Sequence, residues 1–340
     1  MTGNYILSIA ERAASGPAFT AGQCFACGGE PTTGSGEHVI PMWLQRRFDL
    51  FDNHLTLLNG TRFPYRSLTI PCCGSCNGGF LRTIENGVMA VIDDPNIDDP
   101  VTRITFARWL CKIFIGILVK ETTLDFDRKD RAQGKIVDHF FLEDFFHAQL
   151  ILQTARKKSV FQCLHGSFPC SVYMYRISPD ETYGQFDLST SIAGHSIAMR
   201  IGPIGVIFVN DGGLQLHVDM KGPLGLDGRD LHPVQFSEIA ARVHYKAGLR
   251  DATHTYTSWE TPDLLTVEQV AVRPYTDILV EGGARRIFRP WDDIECAEAI
   301  SRYRIADWGP VYDPATGMFT TTLGNGSGEV LSLSTLLIQP

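Results

Sequence analysis

The sequence predicts an α+β chain: a small N-terminal module over residues 1–98, then a larger α+β domain over residues 99–340 with mixed helices and short antiparallel strands. Three observations predict it. Two cysteine pairs, Cys24-x-x-Cys27 and Cys73-x-x-Cys76, enclose a hairpin signal and the tripeptide Glu37-His38-Val39. An acidic run punctuated by proline, residues 93–100 (DDPNIDDP), marks a boundary. Beyond it, apolar residues first recur at helical spacing and then, from Val160 onward, gather into short β-type runs.

The elements follow in order. Residues 1–15 read as a short helix. Residues 21–36 are rich in Gly and Thr and hold the first cysteine pair. Leu55–Leu58 and Tyr65–Ile70 read as strands joined at Asn59-Gly60, a strong hairpin dipeptide. Phe80, Ile84, Val88 and Val91 then place a helix that starts at the second cysteine pair. Phe106, Trp109, Leu110, Ile113, Phe114, Ile117 and Leu118 predict an amphipathic helix whose apolar face belongs to a core. Residues 136–158 read as a second long helix. Strands are expected at Val160–Leu164, Val172–Ile177, Ser196–Ile201, Gly205–Val209 and Leu214–Val218, with Asp211-Gly212-Gly213 as the hairpin between the last two. Val234–Leu249 and Asp292–Tyr303 are helical, and the end is β-like.

Composition narrows the function classes. The chain has 340 residues, 44% of them hydrophobic, which is enough for a real core. No apolar stretch is long enough to span a bilayer, and the first residues carry Glu11 and Arg12 rather than an export signal, so a cytoplasmic protein is expected. Nine cysteines are too few for a disulfide framework, and five of them crowd into residues 24–76. Two C-x-x-C knuckles at Cys24, Cys27, Cys73 and Cys76 have the spacing of a closed tetrahedral zinc site. Cys72 reads as a spare buried thiol, because only Cys73 gives the two-residue spacing to Cys76. The net charge of −8 counts against an indiscriminate nucleic-acid binder.

A Glu-His pair is not needed to hold zinc, and Asn77 directly follows the last cysteine. These residues resemble the HNH, or ββα-metal, endonucleases. The resemblance rests on Glu37-His38-Val39-Ile40-Pro41, on Cys73-Gly74-Ser75-Cys76-Asn77, and on Cys24 and Cys27, which complete the zinc-bearing variant. It covers about 70 residues. It implies an enzyme that hydrolyses DNA phosphodiester bonds, with His38 as general base, Glu37 and Asn77 as ligands of a catalytic Mg²⁺ or Mn²⁺, and the four cysteines around a structural zinc. Hard oxygen ligands suit those ions.

The sequence departs from the family pattern at two places. The second strand lacks the Asn that orients the histidine loop, so Asn53, Asn59, Thr69 or a backbone carbonyl is left to take that part. Leu81 and Arg82 stand where a Lys or His is common. Glu85, eight residues after Asn77, lies near the same helical face and reads either as a supporting residue of the site or as structural. The rival reading from another class is a non-catalytic zinc module that binds nucleic acid or protein; a third is an RNase using the same residues. The larger domain resembles no family. By analogy with prokaryotic antiviral defence effectors, it is expected to bring regulation: a homodimer contact, a short Argonaute-type partner or a nucleotide signal. His139 and His147, beside Glu143 and Asp144, read as a solvated helix face.

Overall fold

The computed structural model describes residues 22–32, 36–138, 142, 145–219, 225–226, 230–276, 286–307 and 309–324. The helix expected at 1–15 lies outside the described residues, as do His139, Glu143 and Asp144. The chain is mixed α+β, and it divides into two compact units. Unit 1 comprises 1–91, 100–162 and 257–268; unit 2 comprises 92–99, 163–256 and 269–340. The units therefore do not follow the division expected at residue 98, because the helix after that point folds into unit 1.

Unit 1 begins with β1 (Glu37–His38), α1 (Met42–Arg47), β2 (His54–Thr56), β3 (Arg62–Pro64) and β4 (Thr69–Ile70). The turn at Asn59-Gly60 does close a hairpin, but the paired strands are β2 and β3, with Leu55 opposite Phe63. The expected strand at 65–70 breaks at a 3₁₀ turn over Tyr65–Ser67, and only Thr69–Ile70 continues as strand, pairing antiparallel with β1. Pro64, whose fixed φ and missing N–H end a ladder, accounts for the break.

A short helical turn at Gly74–Cys76 and a widened turn at Asn77–Leu81 lead into α2 (Arg82–Val91). The centre of the unit is α3 (Pro100–Thr123). It is not amphipathic as expected. From Phe106 to Val119 only Arg108 is not fully buried, and a helix apolar on every side belongs inside a core. Close approach is built in on two sides. A Cβ at Gly116 would lie 3.0 Å from a Val39 methyl, and one at Gly87 would lie 3.1 Å from a Thr105 methyl. The helix expected over 136–158 is described only as α4 (Phe146–Gln153), with a 3₁₀ turn to Arg156; β5 (Ser159–Gln162) follows.

Unit 2 is built on a five-stranded sheet of β6 (Ser171–Ile177), β7 (Phe186–Ser191), β8 (Ser196–Ile201), β9 (Ile204–Val209) and β10 (Asp230–Leu231), in the order β10-β6-β9-β8-β7. All pairs are antiparallel except β10 with β6. The segment at 214–218 is not a strand but the helix α5 (Leu214–Asp219). The buried Asp211 carboxylate accepts hydrogen bonds from the backbone N–H groups of Gly213 and Gln215, which caps a helix instead of closing a hairpin. Helix α6 (Pro233–Gly248) covers the sheet through Phe236, Ile239 and Val243. Gly205 lets it come close, since a Cβ there would meet the Phe236 ring at 2.4 Å. The strands β11 (Ala252–Glu260) and β12 (Leu265–Pro274) had no clear sequence signal. The first residues of β12 pair in parallel with β5 inside unit 1. Helix α7 (Asp293–Tyr303) packs on α6, and β13 (Tyr312–Asp313) pairs with β14 (Met318–Phe319).

Candidate metal centre and cavity

The sulfurs of Cys24, Cys27, Cys73 and Cys76 all lie within 4.8 Å of one another. Cys27 Sγ and Cys73 Sγ are 3.7 Å apart. A tetrahedral zinc with Zn–S bonds of about 2.3 Å sets sulfur–sulfur edges of about 3.8 Å. The four thiols thus have the spacing and chemistry to hold a metal such as zinc. The fifth sulfur, Cys72, lies 3.8 Å from Cys24 Sγ and outside that set. The hydrogen bond these two share is the main cause that holds the Cys24 thiol well below its ordinary value and pushes Cys72 well above.

The first knuckle is fixed from α4. Gln149 Nε2 donates to Phe25 O at 3.0 Å, and Gln153 Nε2 donates to Ala26 O at 2.7 Å. Phe25 and Ala26 are fully buried, so those carbonyls need partners. Arg156 joins both knuckles, donating to Ala26 O and to Cys76 Sγ at 3.3 Å each, and stacks 4.0 Å from the Phe80 ring. Sequence reasoning missed all three residues. For the two glutamines the signal was faint, a polar pair at i and i+4 on a mostly apolar helix, and Arg156 lies in the turn beyond it.

Beside the metal centre is a cavity of about 550 Å³, lined by Glu37, His38, Asn77 and Glu85, with Arg82, Met42 and glycines 36, 74 and 78 among the rest. The three residues expected from sequence, Glu37, His38 and Asn77, thus meet at one cavity. Local folding explains how. Gly36 has φ +66°, and a Cβ there would come within 2.6 Å of Ile70 O, so only glycine admits the chain into β1 at this approach. In the β1–β4 ladder His38 stands opposite Thr69, and Val39 N donates to Leu68 O. Buried Gln45 donates to Ile40 O at 2.6 Å and pins the loop after His38. Lys120 of α3 donates to Thr69 O at 3.1 Å. Asn77 N donates to Cys73 O, which ties the residue to the second knuckle. Just beyond it Gly79, at φ −96° and ψ −116°, breaks the helical ladder in the widened turn, a device that recurs at functional sites.

Asn53 and Asn59 do not line this cavity. Asn53 is exposed, and the Asn59 side chain binds Phe126 O and Thr61 N. Of the residues expected to fill the middle position, Thr69 alone is cross-strand from His38.

The residue that sequence reasoning missed here is Lys112. It rises from the middle of α3 with its side chain 1% exposed, and it makes ion pairs with Glu37 and with Glu85. Burial works to lower its pKa, but the carboxylates of Glu85 and Glu37 outweigh burial and hold it above the ordinary lysine value. The available signal was a lone charge in a long apolar helical run. Comparison with family models, curated proteins and solved structures returns no match to this chain.

Proposed function

We propose that the chain is a metal-dependent endonuclease of the HNH type that hydrolyses DNA phosphodiester bonds. The observation that carries this reading is the meeting of Glu37, His38 and Asn77 at one cavity beside the four-cysteine centre. The donor set fits a hard divalent cation: a carboxylate from Glu37 and an amide oxygen from Asn77. Such a cation would supply charge stabilisation for the phosphorane and the leaving oxygen. His38 takes the proton of the attacking water, a task suited to an imidazole. Arg82, exposed at the cavity edge, supplies a planar guanidinium for a backbone phosphate. The four cysteines would tie the loop before β1 to the turn that leads into α2.

One observation favours the rival, a non-catalytic zinc module: Glu37 is buried and already paired with Lys112. The deciding experiment incubates full-length protein with supercoiled, linear and single-stranded DNA and with RNA, in Mg²⁺, Mn²⁺ or EDTA. Cation-dependent nicking of DNA is expected, and His38→Ala is expected to lower it by at least about 100-fold, the scale for loss of a general base. Zinc content and the circular dichroism spectrum should not change. Equal cutting by wild type and His38→Ala would refute the assignment; preference for RNA would make it an RNase.

A further inference from the structure

The cavity contains more charge than the expected ligands account for. Glu85 of α2 lines it together with Glu37, and both carboxylates meet the same ammonium through Oε1. Lys112 approaches from the core, 1% exposed, while the two carboxylates keep 10% and 18% of their side-chain surface. The lysine is therefore beneath the floor, and the acids face the space above. Among the described residues, Lys112 accounts for the ion pairs of both acids. A buried lysine in an apolar helix is costly to keep unless it is paired, so its placement under two acids is specific.

Building on the endonuclease reading, we propose that Glu85 is a second carboxylate of the cation site and that Lys112 is its positioning residue, setting the charge of that site. Glu37, Glu85 and Lys112 sum to −1. A divalent cation then leaves +1 toward a phosphodiester that carries −1. Without Lys112 the carboxylates sum to −2, the cation is held harder, and the cation site becomes neutral toward the phosphate, leaving Arg82 at the edge as the remaining positive group among the described lining residues. Lys112 thus trades cation affinity for electrostatic pull on the substrate. A lysine that served the fold alone would not split those two quantities.

The test measures Mn²⁺ binding to full-length, zinc-loaded protein without DNA, by electron paramagnetic resonance of free Mn²⁺, alongside cutting rates. Wild type is expected to bind one Mn²⁺. Glu85→Gln is expected to weaken binding at least about tenfold, by loss of one ionised ligand. Lys112→Met is expected to tighten it at least about tenfold while slowing cutting by a similar factor. Lys112→Arg, which keeps the charge, should stay within about threefold of wild type in both. Should Lys112→Met fail to fold, Glu85→Gln and Lys112→Arg still decide the matter. Mn²⁺ affinity unmoved by Glu85→Gln, or weakened by Lys112→Met, overturns the inference. If His38→Ala abolishes cutting in that same case, the endonuclease reading stands without it. Wild type that neither binds Mn²⁺ nor cuts overturns both.

Discussion

His244 offers a quantitative prediction about unit 2. It lies on the sheet side of α6, 2% exposed, with Nε2 3.0 Å from Ser189 Oγ and Nδ1 2.7 Å from Ser196 Oγ. Burial pushes its pKa from 6.5 down to about 3. The folded chain therefore keeps a neutral imidazole well below pH 6.5, whereas the unfolded chain takes a proton there. The sign follows: the stabilisation is complete above about pH 7.5 and is lost as pH falls through 6.5 toward 3. At pH 5 the loss is about 2 kcal/mol, from 1.5 pH units at about 1.4 kcal/mol each. That is a sizeable part of a domain's typical 5–15 kcal/mol, about one seventh to two fifths. The assay has two arms. Carbon-13 histidine NMR should show the His244 resonance fixed in its neutral position from pH 8 to pH 5. Urea denaturation of wild type and His244→Gln should show their stability difference shrinking by about 2 kcal/mol over the same range, since other titrating groups cancel in the comparison. A His244 resonance that titrates above about pH 5, or a difference that does not move, would refute the reasoning.

Other outcomes are expected from the same structure. Glu121 of α3 is buried, and its carboxylate accepts a hydrogen bond from Leu58 N; burial raises its pKa from 4.5 to about 7. Its effect runs opposite to that of His244: the folded chain binds the proton more tightly, so stability falls as pH rises from about 4.5 through 7. Glu121→Gln should therefore gain about 2 kcal/mol relative to wild type between pH 5.5 and 8, measured by urea denaturation. Elemental analysis should find one zinc per chain, and Cys24→Ser should lower that content and the melting temperature together. A fragment ending at residue 98 lacks Lys112, Gln149, Gln153 and Arg156, and it should be insoluble or fail to retain zinc; a soluble, zinc-loaded fragment would count against the packing of α3 and α4 described above.

What was legible in the sequence was the part written in local code. The cysteine spacing, Asn59-Gly60 and the adjacency of Asn77 to Cys76 are short-range signals, and the four sulfurs and the three cavity residues do converge. What escaped depends on contacts far apart in the chain. Lys112 reads as an incidental charge until Glu37 and Glu85, 75 and 27 residues away, are brought to it. Strand pairing of β12 with β5 has no local marker, because a parallel ladder is fixed by distant residues. The helix α5 was misread because Asp-Gly-Gly suits a hairpin, and only the burial of Asp211 against Ser171 turns it into a cap.

The clamp on the first knuckle also sets an order of assembly. As the chain leaves a ribosome, Cys73 follows Cys27 by 46 residues, so all four cysteines emerge early. Gln149 follows Phe25 by 124 residues, and Gln153 follows Ala26 by 127. At about 5–20 residues per second, that interval lasts roughly 6–25 s. During it the carbonyls of Phe25 and Ala26 lack their glutamine donors, and for the 27 residues that separate Glu85 from Lys112 the two acids have no lysine between them. The nascent chain thus passes through a stage in which all four cysteines have been made but neither the carbonyl clamp nor the cavity floor exists, and the site is completed only when α4 emerges and docks.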